Sequence, residues 1–312
     1  MEKLFHTRDA CVKTLIAIAK GRKEIVVLEA DLAKSSKMVW FKETYPERFF
    51  QMGIAEQNEF AVAAGMALSG LLPVVSTYSV FASMKACEQV RTYIAYPNLH
   101  VIIAVSHGGV TPGNDGATHQ AIEDLGIMRS IPNMIIVVPA DAVATEKLLK
   151  SAINKKGPIY LRLTRDPLPI IYNENIVFKI GKAIKCKDGN DATIIATGDM
   201  VYWGLKAAKE LEDDGLNIRV LDMHTIKPID KNSIIKAAKE TKAILTIEDH
   251  NIYGGLGSAV AEVLSQEYPI PLKIMGIPDV FTESGSYLSL LDKYGLGKER
   301  IKEKIKELIK KK

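Results

Sequence analysis

Four short apolar runs, each bounded by Gly, Pro, Asn or Asp, mark the first half of the chain: Glu24 to Glu29, Leu72 to Ser76, Leu99 to Val105 and Met134 to Val138. They are β-branched and nearly continuous rather than alternating, the pattern of strands covered on both faces. Between them, the stretches Arg8 to Lys20, Ala55 to Leu68, Phe81 to Ala95 and Ala142 to Asn154 repeat apolar residues at helical spacing. Strand alternating with helix predicts a parallel sheet joined by right-handed crossovers. This first domain is expected over residues 1–165.

From Asp166 the text turns rich in Pro, Asn, Asp and Gly without a sustained helical pattern, so residues 166–190 read as a linker with room for a short hairpin. The rhythm then resumes over residues 191–312. Strands are expected at Ala192 to Ala196, Asn217 to Asp222, Ala243 to Glu248 and Leu272 to Gly276, and helices at Tyr202 to Asp213, Lys231 to Thr241 and Gly257 to Gln266. The expected fold class is therefore α/β in two domains, each a mostly parallel sheet flanked by helices, the second smaller. The end, KEKIKELIKKK, reads as a solvated amphipathic helix with a frayed basic tip.

Composition narrows the function classes. With 312 residues, 47% hydrophobic and 25% charged, the chain has the make-up of a globular protein, and no apolar stretch is long enough to span a bilayer. The N-terminal MEKLFHTRDACVK lacks an apolar signal core, which predicts a cytoplasmic address. Cys11, Cys87 and Cys186 show neither CxxC nor zinc spacing and read as reduced thiols. The net charge of +4 owes much to the C-terminal tip. Nucleic-acid binding is not expected, because no basic patch is interleaved with aromatics. An anionic sugar phosphate suits a mildly basic cleft better.

The most informative segment runs from Arg48 to Asn58, RFFQMGIAEQN, into the Ala- and Gly-rich EFAVAAGMALSG. It reads as a strand, a loop and a closely packing helix, with Glu56 where the helix dipole favours a carboxylate. Taken alone, Glu56 reads first as an ordinary helix-end acid. The string GIAEQN with its Ala/Gly-rich helix, however, resembles the pyrimidine-binding domain of the transketolase family. In order along the chain, STYSVF (76–81), SHGG (106–109), GNDGATHQ (113–120), RSIPNM (129–134), VVPAD (137–141) and YLRLTR (160–165) are similar to landmarks of that family, and EDHNIYGGLGSAVAE (248–262) resembles its C-terminal domain.

The resemblance implies a thiamine diphosphate-dependent enzyme that moves a two-carbon ketol unit from a ketose phosphate to an aldose phosphate. It implies that Glu56 meets the ring nitrogen N1′ of the aminopyrimidine, favouring the form that takes the proton from the thiazolium C2. Phe81 would stack on that ring; its other reading is a core helix residue. Tyr78 would line the same pocket, and Asp31 matches an acid near the cofactor, or else is a strand-end cap. Met84 departs from the aromatic common in the family. On the substrate side the resemblance assigns His119 to proton transfer at the reacting hydroxyls and Asp115 to the neighbouring hydroxyl. His107 and Arg165 would hold the terminal phosphate, with Arg8 and Ser35 beside them. Gly254-Gly255-Leu256-Gly257 is expected to be a turn into a helix, not a phosphate loop.

Complete transketolases carry a Gly-Asp-Gly motif and a downstream Asn that hold a divalent cation against the diphosphate. The string Gly-Asp-Gly does not occur here; ATGDM (196–200) is the nearest. The Mg2+ ligands are therefore expected on an N-terminal partner subunit and no metal ligand on this chain. Met1 stands a few residues before the first element, which fits a two-gene enzyme. Self-association into an assembly with two copies of each chain is expected by resemblance. Three alternatives remain: a 1-deoxyxylulose-5-phosphate synthase-like enzyme, whose relatives show His where this chain has Asn58; a 2-oxoacid dehydrogenase beta-subunit-like enzyme, which lacks the DGxTHQ string; and a non-catalytic partner-binding subunit.

Overall fold

The computed structural model describes residues 3–312. The apolar runs become strands at the expected places: β2 (Ile25–Glu29), β4 (Leu72–Ser76), β5 (Ile102–Val105) and β6 (Ile135–Val137), joined by β3 (Phe49–Gln51) and β7 (Ile159–Arg162). They pair in parallel in the order β6-β7-β5-β4-β2-β3. Every residue of β2, β4, β5, β6 and β7 is buried, as two-sided helical cover requires.

The stretch 166–190 does not form a hairpin. Instead β8 (Leu168–Pro169) pairs with β1 (Leu4–Phe5) near the N-terminus. The next strand, β9 (Ile184–Lys187), runs antiparallel beside β11 (Ile218–Asp222). The second sheet has the order β14-β13-β10-β11-β9, with β10 (Ala192–Ala196), β13 (Ile244–Asn251) and β14 (Leu272–Ile277) parallel to β11. One strand crosses between the two halves. β12 (Thr225–Lys227) leaves the second half and closes the first sheet as an antiparallel edge on β6. The terminal helix Lys298–Ile309 is amphipathic, with Ile301, Ile305 and Leu308 buried on its apolar face.

The expected helix Phe81 to Ala95 is divided. Phe81–Lys85 and Val90–Ala95 adopt wide π turns around the short helix Cys87–Gln89, with Ala86 N–H donating to the Phe81 carbonyl at 3.1 Å and Tyr96 N–H to that of Arg91 at 2.9 Å. A π turn inserts a residue and re-aims the side chains around it. The residues re-aimed here are Phe81 and Lys85.

Candidate active site

In an open parallel sheet, the loops leaving the C-terminal ends of the strands converge on one edge. β2 leads to Asp31 and Ser35, and β3 leads to the loop before Glu56. β4 leads to Tyr78, Phe81 and Lys85, β5 to His107 and onward to Asp115 and His119, and β7 to Arg165. Arg8 joins them from the first turn of the helix Thr7–Ala19, where it is buried.

These side chains form a continuous series. At one end Glu56, the first residue of the helix Glu56–Leu68 and 5% exposed, accepts a hydrogen bond from Lys85 Nζ at 3.1 Å. Lys85 Nζ also lies 4.2 Å from the Phe81 ring centroid. Tyr78 stacks on Phe81 at 5.6 Å and on His107 at 3.7 Å, and His119 meets Phe81 edge-on at 5.6 Å. Tyr78 OH donates to Ser35 Oγ at 2.8 Å, and Ser35 Oγ is 3.5 Å from His107 Nε2. At the far end Arg8 donates to the carbonyls of Ser35 (2.5 Å) and Arg165 (2.8 Å), while Arg165 faces Asp115 at 3.9 Å. Asp31 stands apart. Its backbone, at φ 61°, is held through its N–H by Gln51 Oε1 at 2.8 Å, and its side chain makes no hydrogen bond to the others.

The electrostatics divide the series into an acidic end and a basic end. Burial, reinforced by Arg8, Arg165 and His119, lowers the His107 pKa to about 2, so this imidazole is neutral and acts as a hydrogen-bonding group. Positive charge comes from the two arginines; Arg8 spends Nη1 and Nη2 on the Ser35 and Arg165 carbonyls, and its Nε is buried without a partner. Behind Glu56, one turn along its helix, Glu59 is fully buried with neither oxygen partnered; burial, then Glu29 and Glu56, push it well above the usual carboxylate range.

The buried Glu56 carboxyl, the kind of partner an aminopyrimidine nitrogen needs, opens on a depression of about 480 Å³ lined by Ile54, Ala55, Glu56, Gln57, Asn58 and Lys85, with the Phe81 ring linked to it through Lys85. Met84, at the departure from the family pattern, is 48% exposed. Among the described residues no group of three or more His, Cys, Asp or Glu side chains is placed to hold a metal, and no helix is long and apolar enough to cross a membrane. A wider groove, about 920 Å³, between the helix Thr7–Ala19 and residues 170–175 holds none of the candidate residues.

Gly255 leads into the helix Leu256–Glu267, whose first amides, Leu256 N–H and Gly257 N–H, donate to the Glu248 carboxylate at 2.6 and 2.7 Å. The chain's own acid occupies the place a phosphate would take. Sequence reasoning missed Lys85, although its position four residues after Phe81 puts both on one face of a helix. It also missed Gln51, which holds the backbone N–H groups of Asp31 and Gly53 together with Glu29 Oε2.

Residues 3–170 match the transketolase pyrimidine-binding domain and residues 181–301 the transketolase C-terminal domain. A transketolase C-terminal section from Methanocaldococcus jannaschii is 45% identical over 96% of this chain and 95% of its own length. A 6-deoxy-6-sulfo-D-fructose transketolase subunit from a Clostridium species is 39% identical over 94% of this chain and 91% of its own. The solved structure of a split-gene transketolase, described as an inactive beta4 tetramer, superposes with a TM-score of 0.91 at 45% identity, covering 99% of both chains. The chain belongs to the transketolase family, whose enzymes depend on thiamine diphosphate, and corresponds to the family's C-terminal section.

Proposed function

We propose that this chain is the C-terminal subunit of a split transketolase, active together with an N-terminal subunit that holds the diphosphate and Mg2+. The reaction is transfer of a two-carbon ketol unit from a ketose phosphate to an aldose phosphate. The observation that carries the reading is the unbroken series from Glu56 through Phe81 and the two histidines to the arginine pair, a cofactor end joined to an anion end.

When bound, thiamine diphosphate supplies the carbon nucleophile that carries the two-carbon unit. Glu56 holds a proton at the aminopyrimidine nitrogen, with the Lys85 ammonium on its Oε1 as the neighbouring cation. Phe81 orients the ring and excludes water from its face. His119, edge-on to Phe81, moves protons at the sugar hydroxyls, and Asp115 reads the hydroxyl beside the cleaved bond. Neutral His107 and Ser35 donate hydrogen bonds, while Arg165, with Arg8 beside it, meets the terminal anion. Asp31, outside the series, bounds the cofactor end.

The reading is tested with xylulose 5-phosphate as donor and ribose 5-phosphate as acceptor. The chain alone with thiamine diphosphate and Mg2+ is expected to be inactive, and addition of an N-terminal subunit carrying the Gly-Asp-Gly motif to restore transfer. Turnover by the single chain would overturn the split-enzyme reading.

A further inference from the structure

The turn that carries His107 is seated on the second sheet. His107 itself has φ 65°, a left-handed conformation that a non-glycine residue keeps only when its surroundings impose it. Three residues on, Val110 N–H donates to both carboxyl oxygens of Asp249 in β13, each at 3.0 Å. Gly109 packs so closely that a Cβ there would lie 1.9 Å from Asp249 Oδ2, and a Cβ on Gly108 would lie 2.6 Å from Arg162 Nε. Only glycines fit between the turn and these two side chains.

Arg162 is locked in turn. Its Nε and Nη2 donate to Asp124 at 2.8 and 3.1 Å, and Nη2 also reaches the carbonyls of Ala121 (2.9 Å) and Asp249 (3.0 Å). Gly109 N–H donates to the same Ala121 carbonyl at 2.9 Å. Thr111 carries the contact to the anion end: its hydroxyl donates to the Gly108 carbonyl at 2.6 Å and accepts from Arg165 N–H at 3.1 Å. The loop bearing Asp115 and His119 is tied to the same half of the molecule, since Gln120 Nε2 donates to the Gly113 and Glu283 carbonyls at 3.0 and 3.1 Å.

We propose that Asp249 is a positioning residue for substrate: from the second sheet, and with Arg162 beneath, its carboxyl clamps the Gly108–Thr111 turn and so sets His107 and Arg165 where the sugar's anionic end binds. The proposal rests on the reading above that His107 and Arg165 meet that end. It gives the C-terminal domain a part in substrate binding although none of its side chains belongs to the site series. Burial and the neighbouring Asp199 push Asp249 well above the usual carboxylate range, with Arg162 acting against them; Asn has the same shape and keeps one side-chain oxygen that can accept from Val110 N–H.

The experiment uses the complex of both subunits with thiamine diphosphate bound, comparing Asp249→Ser and Asp249→Asn with the unaltered chain and with Arg165→Ala as reference. Three quantities are measured: KM for xylulose 5-phosphate, kcat, and hydrogen–deuterium exchange at C2 of the bound cofactor. Asp249→Ser is expected to raise KM about tenfold, the scale of one lost buried hydrogen bond. C2 exchange should stay within about twofold, because Glu56, Lys85 and Phe81 hang on other elements. Asp249→Asn, which keeps an acceptor for Val110, should restore KM.

Should Asp249→Ser fail to fold, Gly109→Ala strikes the same contact from the other side and should raise KM while sparing exchange. An unchanged KM in these variants beside a raised KM in Arg165→Ala overturns the clamp. Parallel loss of KM and exchange also overturns it, by showing only a general structural role. An unchanged KM in Arg165→Ala itself would instead overturn the assignment of the anion site.

Discussion

Glu56 and Lys85 form a half-exposed ion pair at the point where the cofactor's ring is proposed to bind. The Lys85 side chain is 48% exposed, so the pair itself adds little stability, on the order of 0–1 kcal/mol. Lys85→Met should therefore leave the melting temperature nearly unchanged while freeing Glu56 Oε1. The dissociation constant of thiamine diphosphate in the complete complex should fall, by up to about fivefold if the whole of that energy is released. Calorimetric titration decides the matter, because a higher dissociation constant would mean that Lys85 holds the cofactor rather than competing with it. Glu56→Gln keeps size and one hydrogen bond but cannot manage a proton. It should slow C2 exchange by about 100-fold or more with assembly intact. Exchange at the unaltered rate, followed by NMR after acid quench, would reduce Glu56 to a helix-end carboxylate.

At the scale of elements, the buried parallel strands were legible because two-sided burial writes a continuous β-branched run, and each of the four runs in the first half became a strand. What was hidden depended on partners distant in sequence. β12 is three residues long and looks like part of a loop until β6 is beside it, and the π turns of Phe81–Lys85 and Val90–Ala95 keep an apolar spacing that passes for one ordinary helix. The candidate site residues were proposed from the family's strings, whereas Lys85 and Asp249 carry meaning only through contacts. Asp141 shows how one local signal serves two elements. It caps the helix Ala142–Ile153 through Ala144 N–H at 2.7 Å, and its other oxygen accepts from Ile171 and Tyr172 N–H at 2.7 and 3.0 Å. Asp141→Ala removes a cap and leaves two amides of the 166–190 segment without that partner, so a loss of about 2–4 kcal/mol is expected. Urea unfolding would measure it, and a loss below about 1 kcal/mol would mean that those amides find water instead.

Across the whole molecule, the 166–190 segment is fastened to the second sheet by a buried polar cluster that makes stability depend on pH. Tyr172 OH donates to Asp222 Oδ2 at 2.6 Å and lies 3.1 Å from Cys186 Sγ, while Asp222 Oδ1 has no partner. Burial, with Asp141 nearby, pushes the Asp222 pKa up to about 8. An unfolded aspartate titrates near ~3.9, so between those values the folded chain holds a proton that the unfolded chain has lost. Stability therefore falls as pH rises from about 4 to about 8 and levels off beyond. His224, buried beside Phe178 and lowered to about 4, has the opposite sign: the unfolded imidazole takes up a proton below ~6.5, so its contribution is lost as pH falls through that range. The interval from pH 6.5 to 8 lies above the histidine's window and inside the aspartate's. There the unaltered protein should lose stability with rising pH. Asp222→Asn, which keeps an acceptor for Tyr172 but no titrating proton, should lose less, by up to about 1.4 kcal/mol per pH unit. Glu59 and Asp249, each pushed well above the usual carboxylate range with burial as the largest cause, act with the same sign as Asp222. Urea unfolding of both proteins at pH 6.5, 7.3 and 8.0 gives the two slopes, and identical slopes would show that Asp222 is already ionised in the folded molecule.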